Sequence, residues 1–220
     1  MEMLYLRCIG ILFAVHNVTF AAAPCCFPQK FEGVVSYQKV SFGGAPGGIH
    51  FQEAKFNISV DYVDKKEAFS VLYYNVDGKS VPSFFLLMDF QNGIEYIVVD
   101  KHCVSVKIPP MESNCLPDGP TQVLQDYFGA ANEMLAINRY VYKLPSLKFT
   151  ETVSVTEKYC YPVLITQTVG TTETQMLYAG LSLGIKNPDI FNVPDVCKHT
   201  VPNDKILPMD FRMRLFTRVK

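Results

Sequence analysis

The sequence contains no tryptophan, only 4 histidines, and no C-x-x-C pair among its 7 cysteines. Clustered Cys/His zinc chemistry is therefore excluded, because His50, His102 and His199 are scattered along the chain. Charge is also sparse: charged residues make up 19% and the net charge is −1. From Pro24 to Cys197 there are 13 Lys+Arg against 18 Asp+Glu, whereas Lys198 to Lys220 holds 6 against 2. A mildly acidic body offers no footprint for nucleic acid, which needs clustered positive charge. No stretch after residue 23 is apolar enough to anchor the chain, since a spanning helix takes about 20 apolar residues. No internal repeat recurs at a fixed period.

What is present begins with residues 1–23. Arg7, the apolar core "CIGILFAV" and the small-residue exit "TFAAA" have the three-part layout of a cleaved signal peptide. Cleavage after Ala21, Ala22 or Ala23 fits equally. Removal of Cys8 with this segment leaves Cys25, Cys26, Cys103, Cys115, Cys160 and Cys197, an even set in an oxidising route. Three disulfides are expected, and six cysteines allow fifteen pairings that sequence alone does not choose among. The remaining body, 24–197, suits one domain able to bury a sizeable core. Residues 198–220 form a basic tail in which "FRMRLFTRV" partly alternates apolar and basic residues. Such a tail can add an edge strand, touch matrix or an anionic membrane surface, or fray.

The body reads as strands. "FQEAKFNISVDYV" places Phe56, Ile58, Val60 and Tyr62 on one face and Lys55, Asn57, Ser59 and Asp61 on the other. One wet face points to antiparallel pairing. Asp77-Gly78 and Asn92-Gly93 supply the positive-φ residues of tight hairpins. Between Pro117 and Asn132 the pattern changes, and "TQVLQDYFG" predicts one short helix over 121–129, capped by Thr121 and closed by Gly129. β-branched alternation returns afterwards. The expectation is a mainly β domain of roughly nine to eleven antiparallel strands with one short helix packed on it.

Four features raise functional questions. "GLSLG", with Ser182 at its centre, matches the G-x-S-x-G elbow, but "IKNPDIFNVP" cannot form the helix that must follow. Asp61, Asp64 and Glu67 in "DYVDKKE" are candidate calcium ligands, although Lys65 and Lys66 intervene and a solvated strand end is the simpler reading. Asn57-Ile58-Ser59 is a glycosylation sequon on the predicted wet face; Asn17-Val18-Thr19 leaves with the signal peptide. Finally, hydrophobic residues reach 49%, with 16 Phe and 12 Tyr. Phe56, Ile58, Tyr62, Phe84, Leu86, Met88 and Tyr96 either fill a sandwich core or line a cavity for an apolar ligand, and periodicity does not separate the two.

The opening "CCFPQKFEGVVS", the mid-chain "CYPV" at Cys160 to Val163 and the close "NPDIFNVPDVC" ending at Cys197 together resemble the ependymin-related proteins over about residues 25–197. "FEG" at Phe31 to Gly33 is similar to the start of that family's first strand. The resemblance implies two stacked antiparallel sheets in a half-barrel like that of bacterial lipoprotein carriers. It further implies a secreted or lysosomal, glycosylated homodimer without enzymatic activity, with a deep hydrophobic pocket and calcium as the one cofactor. By the same pattern one of Cys25 and Cys26 bridges to Cys160 and Cys103 bridges to Cys197. The leftover cysteine would then meet Cys115, an intersubunit bond being the alternative. The reading that results is a binder of a hydrophobic, lipid-like molecule; the second is a calcium-binding adhesive glycoprotein of the extracellular matrix.

Overall fold

The computed structural model describes residues 25–43, 48–80 and 84–202. The signal peptide expected over 1–23, the Asn17 sequon and the tail beyond residue 202 lie outside the described residues. The chain forms twelve strands: β1 (Lys30–Phe42), β2 (Ile49–Asp61), β3 (Lys66–Val76), β4 (Lys79–Ser80), β5 (Phe84–Asp89) and β6 (Ile94–Val99) in its first half. β7 (His102–Lys107), β8 (Gln122–Phe128), β9 (Leu135–Leu144), β10 (Phe149–Thr156), β11 (Pro162–Val169) and β12 (Thr172–Leu183) follow. Eleven of them make one antiparallel path, β7-β6-β5-β3-β2-β1-β12-β11-β10-β9-β8, and β4 pairs β3 alone. The mainly β, half-barrel-like expectation holds, with the refinement that the layers are one continuous sheet, not closed into a barrel.

The two free edges, β7 and β8, are consecutive in the chain. Laid flat, the ten gaps between them would span about 48 Å at about 4.8 Å per strand. The connection, residues 108–121, could reach that only if drawn almost straight, at about 3.3–3.6 Å per residue. It is not straight: Leu116 is buried in the core, and its N–H donates to the Cys25 carbonyl at 2.8 Å. The sheet therefore curls, and the connection crosses its concave side as a strap.

The expected helix over 121–129 is instead strand β8, paired with β9 from Gln122↔Val141 to Phe128↔Leu135. Val123, Leu124 and Tyr127 are all exposed, so no core meets the apolar stripe that helical spacing suggested. An isolated helix this short is unstable in water, whereas β-branched and aromatic residues pair readily at an edge. Helical residues among those described form short 3-10 turns, at Pro145–Leu147, Pro188–Phe191 and Asp195–Cys197. Asp77 and Gly78 take φ of 48° and 80° in the β3–β4 hairpin, as the turn chemistry requires. The β6–β7 turn uses Asp100 and Lys101 at φ 46° and 69°, without the glycine that marks such turns in sequence.

The principal core lies on the concave face. Phe31 and Val35 of β1, Phe56, Ile58 and Val60 of β2, and Phe69 of β3 join Leu86, Ile97, Val153, Ile165 and Met176 in one buried cluster. Cys25, Phe27 and Leu116 pack onto it from the strap side. A smaller cluster on the convex face joins Ala68, Leu87 and Tyr96 to Phe191, Ile190 and Val193 of the C-terminal segment. Gly33 marks a close approach between β1 and β12. A Cβ there would stand 2.4 Å from Leu181 Cδ2 and 3.2 Å from the Ala179 carbonyl oxygen.

Disulfides fix the cover. Cys25 pairs with Cys160, Cys26 with Cys115, and Cys103 with Cys197, at sequence separations of 135, 89 and 94. The first ties the N-terminal segment to the β10–β11 connection, the second ties it to the strap, and the third ties the C-terminal segment to edge strand β7. In the chain-entropy model each long loop contributes about 5 kcal/mol.

Candidate functional site

Successive side chains on a strand alternate between faces, so the register decides which residues look inward. On β2, Phe56, Ile58 and Val60 point to the concave side, opposite Val35, Gly33 and Phe31 of β1. On β3 their neighbours are Val71, Phe69 and Glu67. Phe69 and Glu67 in turn oppose Leu86 and Met88 of β5, which oppose Ile97 and Glu95 of β6. The concave wall is thus apolar except where acids interrupt it.

Six of the seven sequence-selected pocket residues belong to this one cluster. Phe56, Ile58 and Leu86 are buried at its base, with Phe56 packed edge-on to Phe69 at 5.7 Å between ring centroids. Tyr62, Phe84 and Met88 are only partly buried and rim it, together with Tyr74, Met111, Tyr140 and Tyr142. Tyr74 meets Phe84 edge-on at 6.0 Å. Tyr96 belongs elsewhere: it opposes Leu87 on the convex face and packs in the smaller cluster. Its aromatic character drew it into the sequence selection, but its register is odd relative to Ile97.

The sequence reading took Glu67 only as a calcium candidate and missed Tyr178. Glu67 is 5% exposed and flanked by Val60 and Met88. Burial alone pushes its carboxyl up to about 8. Tyr178 of β12, beside Val35, is 6% exposed and its hydroxyl lacks a partner among the described residues. Burial, then the fields of Glu67 and Glu151, raise its phenol far above its ordinary value. Tyr62 is raised in the same way by burial, then by Glu67, Tyr178 and Glu112. Tyr178 belongs to the concave-face cluster and Tyr62 packs against it. Glu151 there accepts a hydrogen bond from Gln167 Nε2 at 2.8 Å. An orphaned buried polar group costs about 1–3 kcal/mol, so the Tyr178 hydroxyl against this apolar wall is a feature to be explained. A single glutamate inside an apolar-aromatic alternation is the only trace the sequence carries.

Farther along the same face, Lys39, Ser41, His50, Gln52 and Asp77 line a recess of about 220 Å³. The His50 Nδ1 to Asp77 Oδ2 distance is 3.2 Å, and the Gln52 Oε1 is buried without a partner among the described residues. The backbone N–H of Phe51, then His50, hold the Asp77 carboxyl below its usual range.

The three candidate calcium ligands do not converge. Lys30 Nζ lies 2.7 Å from Asp61 and 3.1 Å from Asp64, while Glu67 faces the concave interior. Asp61 is not a solvated strand end but 3% exposed. Its burial works to raise the carboxyl, yet Lys30 and the N–H of Asp64 hold it below the ordinary value. Among the described residues no three His, Cys, Asp or Glu side chains gather as a metal site. Asn57 is exposed on the convex face, open to a glycan. Ser182 lies inside β12, opposite Glu32, with Gly184 rather than a helix after the strand.

Comparison with known proteins adds a lineage. The family model described as Ependymin matches residues 79–197, more than half of the chain. The mammalian ependymin-related protein 1 of Rattus norvegicus is 24% identical over 185 residues, covering 81% of this chain and 78% of that protein. An uncharacterized conserved protein from Thermus thermophilus aligns with a TM-score of 0.47 at 6% identity, over 76% of this chain and 86% of that one. A LolA superfamily protein from Nitrosomonas europaea aligns with a TM-score of 0.35 at 8% identity, over 77% and 93%.

Proposed function

We propose that this chain, which belongs to the ependymin family, is a secreted, non-enzymatic glycoprotein that holds a hydrophobic, lipid-like molecule on the concave face of its sheet. One observation carries the reading. The concave face is walled by apolar side chains and closed by a disulfide-pinned strap instead of by sheet pairing, and partly exposed aromatics and methionines rim it. The strap is held to the N-terminal segment by the Cys26–Cys115 bond and by backbone hydrogen bonds at Phe27 and Leu116, so the two can shift together while the sheet ladders stay intact. Apolar walls with a few polar groups are the usual lining of small-molecule sites.

The ligand would enter past Tyr62, Phe84 and Met88, because Phe56, Ile58 and Leu86 lie sealed beneath them. Met88 and Met111 suit such an entrance, since thioether side chains repack at low cost. Three disulfides fit the extracellular route. Glycosylation at Asn57 and homodimerisation belong to the same proposal, with the glycan on the convex face clear of the strap.

The test is native mass spectrometry of the non-reduced protein secreted from a eukaryotic host, followed by organic extraction. Discrete adducts of lipid mass that pass into the solvent are expected. An unliganded mass, unchanged after incubation with mixed lipids, would refute the carrier reading.

A further inference from the structure

The concave face changes character along the central strands. Val35 of β1 stands between Phe56 of β2 and Tyr178 of β12, and Tyr37 between Ala54 and Met176; all six belong to the buried cluster. On the next rung Lys39 stands between Gln52 and Thr174, and on the one after it Ser41 stands between His50 and Thr172. Every side chain on these two rungs is polar. Lys39, Ser41, His50 and Gln52, with Asp77 from the β3–β4 turn, enclose the recess of about 220 Å³. Tyr74, opposite Ala54 and edge-on to Phe84, carries the rim of the entrance to this boundary. The recess is smaller than the roughly 300–1,000 Å³ that encloses a whole small-molecule ligand. It suits one end of a longer molecule.

We propose that this recess is a head-group subsite, which takes the uncharged polyhydroxyl head of an amphiphile, a sugar or polyol, while the hydrocarbon lies on the apolar rungs beside it. This rests on the carrier reading and names the head of its ligand. The donors and acceptors of the lining set the choice. Asp77 is spent within the protein: its Oδ1 accepts from the Phe51 N–H at 2.8 Å and its Oδ2 lies 3.2 Å from His50 Nδ1. The Ser41 hydroxyl accepts from Thr172 Oγ1 at 3.1 Å and keeps its own hydrogen to donate. Lys39 brings an ammonium donor, whereas the buried Gln52 amide oxygen is an acceptor without a partner among the described residues. Hydroxyl groups meet both needs, because each donates and accepts. The groups are spread over two rungs about 7 Å apart, which neighbouring hydroxyls of one head span and a single hydroxyl does not. The charges of Lys39 and Asp77 offset each other, so the lining favours neither an anionic nor a cationic head.

The test uses the secreted, disulfide-intact full chain at neutral pH, with the neutral dye Nile red as reporter. The dye is displaced by decyl glucoside, decanol, decyl phosphate or methyl glucoside, each below its micellar concentration. Decyl glucoside should displace the dye at lower concentration than decanol or decyl phosphate, and methyl glucoside, which has no tail, should not displace it. Gln52→Met and Lys39→Met should each weaken decyl glucoside by about tenfold, the value of one good hydrogen bond, and leave decanol unchanged. Lys39→Arg keeps a donor and should lose less than Lys39→Met. Gln52→Met removes an orphaned oxygen and should melt at or above the parent, so a binding loss in it is not a folding loss. Equal effects of the variants on decyl glucoside and decanol would overturn the subsite and leave the carrier reading standing. So would tighter binding of decyl phosphate, or methyl glucoside binding as well as decyl glucoside. Failure of the parent to bind the dye or any of the decyl compounds would overturn both.

Discussion

Glu67→Gln removes one ionisable group from the concave interior at almost constant volume. In the unfolded chain the Glu67 carboxyl titrates near 4.5, and in the folded protein near about 8. Between those values the folded state binds one more proton than the unfolded state, so stability falls as pH rises. The contribution is fully present below about pH 4.5 and gone above about pH 8. At about 1.4 kcal/mol for each pH unit, the whole interval costs about 5 kcal/mol. That is comparable to the entire stability of many domains, about 5–15 kcal/mol. Burial is the sole cause of the shift, with no cation opposing it, and the groups whose own shifts feel Glu67 are the phenols of Tyr62 and Tyr178. Equilibrium urea unfolding at fixed temperature, without reductant and followed by far-UV circular dichroism, measures the effect at half-unit steps from about pH 5 to about pH 8.5. The difference between parent and variant cancels the other titrations. The variant should gain on the parent steadily across this range, by several kcal/mol in total. Parallel curves for the two proteins would refute the burial of an unpaired carboxyl at this position.

Other outcomes follow from the same geometry. Gly33→Ala forces a methyl against Leu181 and the Ala179 carbonyl, and should lower stability by about 1–3 kcal/mol, read as a drop in the urea midpoint. Replacing Cys26 and Cys115 together by serine removes a loop closure of separation 89 and should cost about 3–5 kcal/mol. It should also speed ligand exchange, because the strap loses the disulfide that pins it. The matching pair of changes at Cys103 and Cys197 should cost a similar stability with ligand exchange unchanged, since that bond lies at β7 and the C-terminal segment. Asn57→Gln should abolish the mobility shift on deglycosylation of protein from a mammalian host while leaving Nile red binding unaltered.

Much of this fold was legible in the sequence because half-buried strands write themselves in period two. Phe56, Ile58 and Val60 alternate with Lys55 and Asn57, and the register keeps that division. The β3–β4 turn was legible through Asp77-Gly78, whereas the β6–β7 turn was not, because Asp100-Lys101 adopts positive φ without a glycine. Strand β8 misled for a physical reason: an edge strand with neither face buried loses its alternation, and the remaining Val123, Leu124, Tyr127 and Phe128 mimic a helical stripe. Tyr96 was misplaced because aromatic content does not report the face of a strand; its neighbours on β5 do. The burial of Glu67 and Tyr178 was not legible. They stand far apart in the chain, and only the curl of the sheet, forced by the connection between its two edges, turns both into one interior.

The central claim is that the concave face under the strap receives an apolar molecule. It is tested most directly by photolabelling the disulfide-intact protein with a diazirine-bearing fatty alcohol and mapping the adducts by peptide mass spectrometry. Labels should concentrate on residues 54–62, 84–88 and 174–181, and should be competed away by 1-monooleoylglycerol. Labels that fall instead on exposed convex or edge residues such as Leu72, Val123 and Tyr127, and that resist competition, would contradict it.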